Sequence, residues 1–537
     1  MSFDEVNQTM KNLVLLNGNI YTMDPKLPLA QAVAVKDSQI VVVGKNSEVE
    51  NLGKKDFRVI NLEGKTVIPG LTDCHTHFLS FAQGLRRVNL HGISSAEEIL
   101  STIKAFSDRL GPDEWLLGGG WDKNIIRDES VFTRHVLDKI RSQAPVVLQS
   151  KDHHVLWVNT KALETVGISK STENPQGGEI QRDPNTKEPS GILKEKACNL
   201  VWDKVPLPSL MISKEVLKEA MKIANSYGLT GIQNHDDPGA YDLFQQLKSD
   251  GELTLRAAFW IPIQDLDSAI NLGLKSGVGN DFVRFGGVKM YADGSLGSQT
   301  ALMLEPYEGS DKYIGIEATS QEELKENTIK AGRAGIGVAI HAIGDRAVRQ
   351  SLNAIDQSMQ QIGGSGNLRH RIEHVQILHP QDAERFAKLG IIASVQPVHA
   401  PADIDIANRY WGKRARLAYA FKTLLKNGAR VVFGSDAPIE TLDPRRGIHA
   451  AVCRKRVGSE ESWYPEEKLT ITEAVSGFTC WASYASCEEN LKGSIEVGKL
   501  ADMVVISKDV FRVDPDEIPD IRVELTILGG RIIFQQE

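Results

Sequence analysis

His75 and His77 stand two residues apart at the end of the apolar run Val67-Ile68-Pro69-Gly70-Leu71-Thr72-Asp73-Cys74. In a strand, residues i and i+2 share a face, so both imidazoles would point the same way and could grip one divalent ion. Three further strand-like runs end in residues able to complete such a site: His341 after Val338-Ala339-Ile340, His374 after Arg371-Ile372-Glu373, and Asp436 after Val431-Val432-Phe433-Gly434-Ser435. A fourth, Phe285-Gly286-Gly287-Val288-Lys289-Met290-Tyr291, carries Lys289. Nitrogen and oxygen donors of this kind suit Zn2+, with manganese, iron, cobalt or nickel also admissible. An ammonium has no lone pair to give a metal. Beside cations its pKa falls, and the neutral amine can then add carbon dioxide to become an anionic carbamate that bridges two ions. Any one of these histidines alone reads as a core or surface residue. Their shared position at separate strand ends argues for a site.

Such a site needs a scaffold that brings many strand ends to one place. Eight runs read as core strands: Thr66–Asp73, Gly231–His235, Leu255–Ile261, Arg284–Tyr291, Gly337–His341, Arg371–Val375, Ile391–Val395 and Arg430–Gly434. Helical patterns such as Ser213–Ser226, Gln321–Ala334 and Pro380–Leu389 lie between several of them. This alternation predicts an α/β chain with a (β/α)8 barrel over residues 66–490, and such barrels place chemistry at the C-terminal ends of their strands. Short strands bounded by Gly, Asn and Asp occupy residues 1–65 and 491–537, and predict one β-sandwich built from both termini. The stretch from about 81 to 208 is too long for one βα unit. It reads as an insertion after the first strand, on the face where insertions cover active sites.

The 537 residues carry a formal charge of −8, with 41% hydrophobic and 25% charged residues, which is ordinary for a globular protein. The absence of a basic cluster argues against a nucleic-acid partner. The start of the chain lacks a signal-peptide pattern and no uncharged apolar run is long enough to span a bilayer, so the expectation is a cytoplasmic protein with no membrane role. Five cysteines without a Cys-x-x-Cys pair read as reduced thiols, with Cys74 turned into packing. His235 ends the second strand and could approach the site, although it reads first as structural; His370, His379, His399 and His449 read as structural or solvent-facing. Asp293 and Asp345 are expected either to orient metal ligands or to cap helices.

Together, His75, His77, Lys289, His341, His374 and Asp436 resemble the amidohydrolase superfamily in its two-metal form with a carboxylated lysine. Leu491-Lys492-Gly493-Ser494-Ile495-Glu496-Val497-Gly498-Lys499-Leu500-Ala501-Asp502 is similar to that family's return from barrel to sandwich. Lys289-Met290-Tyr291-Ala292-Asp293-Gly294-Ser295-Leu296-Gly297-Ser298, His341-Ala342-Ile343-Gly344-Asp345 and Gly118-Gly119-Gly120-Trp121-Asp122 resemble, more narrowly, the YtcJ-like amidohydrolases, which include N-substituted formamide deformylases. The resemblance implies that His75, His77 and Asp436 bind the more buried metal, that His341 and His374 bind the other, and that the Lys289 carbamate bridges them. It implies Asp436 as the proton shuttle and hydrolysis of a non-peptide C–N bond in an amide, N-formyl or N-acyl small molecule. It is compatible with one or two ions per chain and with a homodimer. Trp121 and His154, in the insertion, are the expected substrate contacts. Lactone, ester or phosphotriester hydrolysis on the same site stays open. A ring deaminase fits less well, because Ala342-Ile343-Gly344-Asp345 follows His341 and Lys289 occupies strand four. A non-catalytic barrel is disfavoured because no donor is missing.

Overall fold

The computed structural model describes residues 12–49, 57–90, 92–121, 126, 129–150, 155–176, 178–205, 210–236, 238–364 and 368–537. Period-two burial builds the sandwich. Its four-stranded sheet runs in the order Gln39–Gly44, Ala32–Lys36, Leu13–Leu16, Arg58–Asn61. Leu13, Leu15, Val33 and Val35 face a core shared with Val67, Met503, Val505 and Ile527, while Val14, Ala32 and Ala34 pack the other way with Val49. The six-stranded sheet interleaves both ends of the chain: Arg531–Gln535, Val523–Leu528, Met503–Ile506, Thr66–Pro69, Asn19–Tyr21, Leu29–Ala30.

The barrel has eight parallel strands in sequential order: β1 (Leu71–Thr76), β2 (Leu229–Asn234), β3 (Arg256–Pro262), β4 (Val283–Tyr291), β5 (Gly337–Ala342), β6 (Arg371–His374), β7 (Ile392–Val395) and β8 (Arg430–Phe433). The one strand expected over Thr66–Asp73 is in fact two. Thr66–Pro69 pairs antiparallel with Met503–Ile506 in the sandwich, and the chain turns at Gly70 before β1 begins. A Cβ at Gly70 would stand 2.2 Å from Thr230 Oγ1, so the crossing between the two sheets leaves no room for a side chain. Backbone hydrogen bonds from Asp436 N to His75 O (2.7 Å) and from His77 N to Ala437 O (2.8 Å) bring β8 back to β1. Helix Gln321–Arg333 starts where Ser320 caps it, its side chain accepting from Glu323 N.

Residues Phe81–Leu217 form a separate compact unit. Its sheet runs Gly178–Arg182, Pro189–Glu195, Val155–Val158, Val146–Ser150, Leu116–Trp121, Arg87–Asn89. Both faces are buried. Val146 and Leu148 join one apolar cluster with Trp121, Phe132 and Trp157, and the intervening Val147 joins another with Leu156 and Leu163. Among the described residues no helix is long and apolar enough to cross a membrane, and none of the five cysteines is joined in a disulfide.

Candidate metal centre and active site

Alternation along β1 turns Asp73 and His75 the same way, and Asp73 Oδ1 accepts the backbone N–H groups of both His75 and Ser435 at 3.0 Å. One carboxylate thus fastens the first strand to the turn that carries Asp436. The backbone at Asp436 is left-handed (φ 60°), which swings its carboxylate toward β1. Asp436 Oδ1 lies 3.4 Å from His75 Nε2 and 3.5 Å from His77 Nε2. These three residues each offer one donor atom within 4.8 Å of the others. Lys289 Nζ is 3.5 Å from His75 Nε2. The His374 ring centroid lies 4.9 Å from that of His75 and 4.4 Å from that of His341. The structure therefore brings together all six residues singled out as donors: His75, His77, Lys289, His341, His374 and Asp436.

The rings are held with a lone pair to spare. His75 Nδ1 donates to Glu373 Oε2 at 2.6 Å, which leaves Nε2 bare toward Asp436 and Lys289. His374 Nδ1 meets Gln396 Oε1 at 2.8 Å, leaving its Nε2 bare. His341 is oriented the other way round, with Nε2 on the Gly294 carbonyl at 2.9 Å and Nδ1 bare. Buried partners of this sort fix a ligand's tautomer and direction. Burial, reinforced by Lys289, holds His75 and His374 well below the usual histidine range and lowers His341 to about 4, so these rings are neutral and able to ligate. Burial also lowers Lys289 to about 8, against the pull of Glu373 and Asp436. It raises Asp436 to about 7, with Asp73 and Glu373 adding negative charge and Lys289 opposing. Neutral imidazoles, a carboxylate and a lysine whose amine is readily freed of its proton form a donor set that fits a transition-metal ion.

Further residues surround the donors. Alternation along a strand turns Arg371 and Glu373 away from the face of His374, yet Glu373 sits against His75. His374 itself has φ 75° and Val375 φ 45°, so alternation ends there and both side chains reach the site. Arg371 is fully buried along the barrel axis, donating to Glu373, Gln233 and Ser394 and to the Cys74 carbonyl at 2.6 Å, with its guanidinium 4.7 Å from the Trp260 ring centre. Burial would push Glu373 up, but Arg371, together with His235 and Lys289, holds it at about 2. His235 stacks between His75 (4.1 Å) and Trp260 (5.3 Å), and neither of its ring nitrogens has a hydrogen-bond partner. Asp293 caps no helix. It accepts N–H groups from Leu302, Ile343 and Gly344, which anchors the loop after His341, and it lies 3.6 Å from His341 Nε2. Asp345 accepts from Leu304 N.

Trp121, expected as a substrate contact, is instead a core residue of the insertion. It is 2% exposed, donates its indole N–H to the Leu148 carbonyl and packs against Phe132 and Trp157 in the insertion's apolar core. His154 lies outside the described residues. Cys74 packs with Ile392, Val432 and Ala482, as expected of a small buried thiol.

An eight-stranded parallel barrel with histidines and a carboxylate gathered at its strand ends is the framework of a hydrolase class. Residues 58–534 match the amidohydrolase family, and the chain belongs to it. It is 33% identical to Protein LONG AFTER FAR-RED 3 of Arabidopsis thaliana, over 97% of this chain and 91% of that protein. It is 32% identical to a Bacillus subtilis (strain 168) protein that carries the name amidohydrolase YtcJ, over 97% and 98%. The N-substituted formamide deformylase of Arthrobacter pascens is 28% identical over 98% of this chain and 99% of its own. An uncharacterized metal-dependent hydrolase from Pyrococcus furiosus superposes with a TM-score of 0.78 at 26% identity, covering 93% of this chain and all of that one.

Proposed function

We propose that this hydrolase is divalent-metal-dependent and cleaves a non-peptide carbon–nitrogen bond, in an amide, N-formyl or N-acyl small molecule, to give an acid and an amine. The observation that carries the reading is the convergence of His75 Nε2, His77 Nε2 and Asp436 Oδ1 beside Lys289 Nζ, with His374 and His341 continuing the row. Its likeness to a formamide deformylase along nearly the whole chain supports the bond type. His75, His77 and Asp436 would hold one ion, Zn2+ being the best suited, and His341 and His374 a second, with Lys289 between them. Bound there, a divalent ion lowers the pKa of a water and polarises a carbonyl oxygen. Lys289 takes its part as a carbamate: its neutral amine nitrogen bonds to carbon dioxide and one N–H proton is released. Its pKa of about 8 makes that neutral amine accessible near neutrality. Asp436 is the proton carrier: its Oδ1 stands within the donor cluster, 3.4 Å from His75 Nε2 and 3.5 Å from His77 Nε2, and its carboxylate can accept a proton there and return it to the departing amine nitrogen.

The deciding experiment is elemental analysis of purified protein followed by a panel of N-formyl amines, N-acyl amino acids, cyclic amides, lactones and esters. One to two equivalents of transition metal and turnover of amide-type members are expected. A chain that binds no metal on titration, or that turns over only the oxygen esters and lactones, overturns the proposal.

A further inference from the structure

His449 and Cys453 lie four residues apart on helix Pro444–Cys453, so they stack on one face of it. Both are buried, at 2% and 5% exposure. Asp516 approaches that face from the short helical segment Pro515–Asp520, which lies between the sandwich strands Met503–Ile506 and Val523–Leu528. His449 Nε2 is 3.5 Å from Asp516 Oδ1, and the ligand atoms of all three residues fall within 4.8 Å of one another. Lys455 engages the other carboxylate oxygen, Oδ2, at 2.7 Å, and so leaves Oδ1 turned toward His449. None of these groups belongs to the barrel site.

We propose that His449 Nε2, Cys453 Sγ and Asp516 Oδ1 form a second metal site, distinct from the barrel centre, for a borderline divalent ion such as Zn2+. An imidazole, a thiolate and a carboxylate are the three ligand types that Zn2+ takes. Bond lengths of about 2.0–2.3 Å in a tetrahedral arrangement put ligand atoms roughly 3.3–3.7 Å apart. The His449–Asp516 separation of 3.5 Å falls in that range, and the Cys453 ligand atom lies within 4.8 Å of both partners. Asp516 is 56% exposed, so the site opens to solvent on its side, which gives an ion access and leaves room for a water as fourth ligand. Without an ion the thiol keeps its proton, burial and the nearby Asp516 raising it to about 11. Binding therefore forms the sulfur–metal bond and releases that proton to solvent. The occupied site would tie the segment between two sandwich strands to the helix that follows β8, and so brace the barrel strand whose turn carries Asp436. Its role is structural.

The test is addition of Co2+ to the metal-loaded enzyme as purified, read by the near-ultraviolet thiolate-to-cobalt charge-transfer band. The barrel donors contain no sulfur, so the band reports on this site whether or not the barrel centre is read correctly. We expect a band saturating at one added equivalent, kept in Cys74→Ser and lost in Cys453→Ser and in Asp516→Ala. The latter variant changes an exposed side chain and guards against a folding defect in the former. Added Zn2+ should raise the Tm of the parent but not of Asp516→Ala. Absence of the band in the parent, or its survival in Cys453→Ser, overturns the site and leaves His449, Asp516 and Lys455 as an ion-pair cluster.

Discussion

Glu373 Oε2 receives the Nδ1–H of His75 at 2.6 Å inside the barrel, while the guanidinium of Arg371 donates to both oxygens of the same carboxylate. A buried histidine is thereby locked in one tautomer, and a buried carboxylate keeps its charge at about pKa 2. Replacing Glu373 with Gln keeps the shape but weakens the acceptor and leaves Arg371 without its counter-charge. Partners of this kind are worth roughly 10–100-fold in metal affinity or activity. Glu373→Gln should therefore lose metal to a chelator at concentrations the parent withstands and show a fall in kcat/KM of that order. Competitive metal titration alongside kinetics checks it. Unchanged affinity would mean that the contact does not set the His75 lone pair.

Asp436 has two roles in the proposal, as a donor toward the ion and as the carrier of a proton. Asp436→Asn keeps a carbonyl oxygen but cannot take up a proton. A general acid–base group contributes typically ~10²–10⁴-fold, so kcat should fall by about that factor while the thermal transition stays near the parent's. Steady-state kinetics with an amide-type substrate, paired with circular dichroism melting, separates the two. A kcat near the parent value would remove Asp436 from the shuttle.

The legible parts of this fold are those governed by a local period. Seven of the eight expected barrel strands coincide with an observed strand to within a few residues, because apolar β-branched runs ending at polar site residues have one reading in a parallel sheet. The first did not, because Val67 and Ile68 are as apolar as Leu71 and nothing in the pattern tells a sandwich strand from a barrel strand. Only the packing at Gly70 does. Glu373 was hidden for a different reason. Alternation set it opposite His374, and the left-handed backbone at His374 and Val375 that breaks the alternation carries no glycine to announce it. The end of strand two shows that His235 could approach the site, but its stacking partners, and those of Arg371, come from other strands, Gln233, Ser394 and Trp260 among them, and no local pattern encodes a contact across a barrel. Trp121 shows the reverse failure: a tryptophan beside three glycines invites a binding role, yet its surroundings are apolar and its indole N–H is already satisfied.

Arg256 in β3 and Asp502, just before sandwich strand Met503–Ile506, make a two-pronged ion pair at 2.7 and 2.9 Å with both side chains 3% exposed. Asp502 also accepts Gly529 N. Truncating one member of such a pair strands a buried charge, at a cost of about 3–5 kcal/mol. Asp502→Ala should lower stability by that order. Burial pushes the Asp502 carboxyl up, but Arg256 more than offsets it and holds the group below its ordinary 3.8. A depressed folded-state pKa stabilises above the ordinary carboxylate pKa and loses that contribution as pH falls through the folded value. The stability gap between parent and Asp502→Ala should thus be constant from neutrality down to about pH 4 and narrow below it. Urea unfolding across that range measures it, and a gap that widens toward acid would contradict the sign.

Gly434 sits where β8 passes against His75. A Cβ there would lie 2.4 Å from the His75 backbone nitrogen and 2.7 Å from its Cβ, and a strand backbone cannot yield as a flexible side chain would. Gly434→Ala should therefore press β1 away from the Asp436 turn, costing about 1–3 kcal/mol as an overpacked site does. It should also stretch the 3.4 Å separation of His75 Nε2 from Asp436 Oδ1 on which the donor cluster depends. Gly239, in helix Pro238–Ser249, is the matched control, since a Cβ there meets nothing within 4 Å. Gly239→Ala should be neutral or gain about 0.5–1 kcal/mol from helix propensity. Differential melting and metal titration on the two variants should diverge, with Gly434→Ala alone losing metal affinity. If both bind metal as the parent does, the strand-to-strand contact at Gly434 is not what holds His75 in register with Asp436.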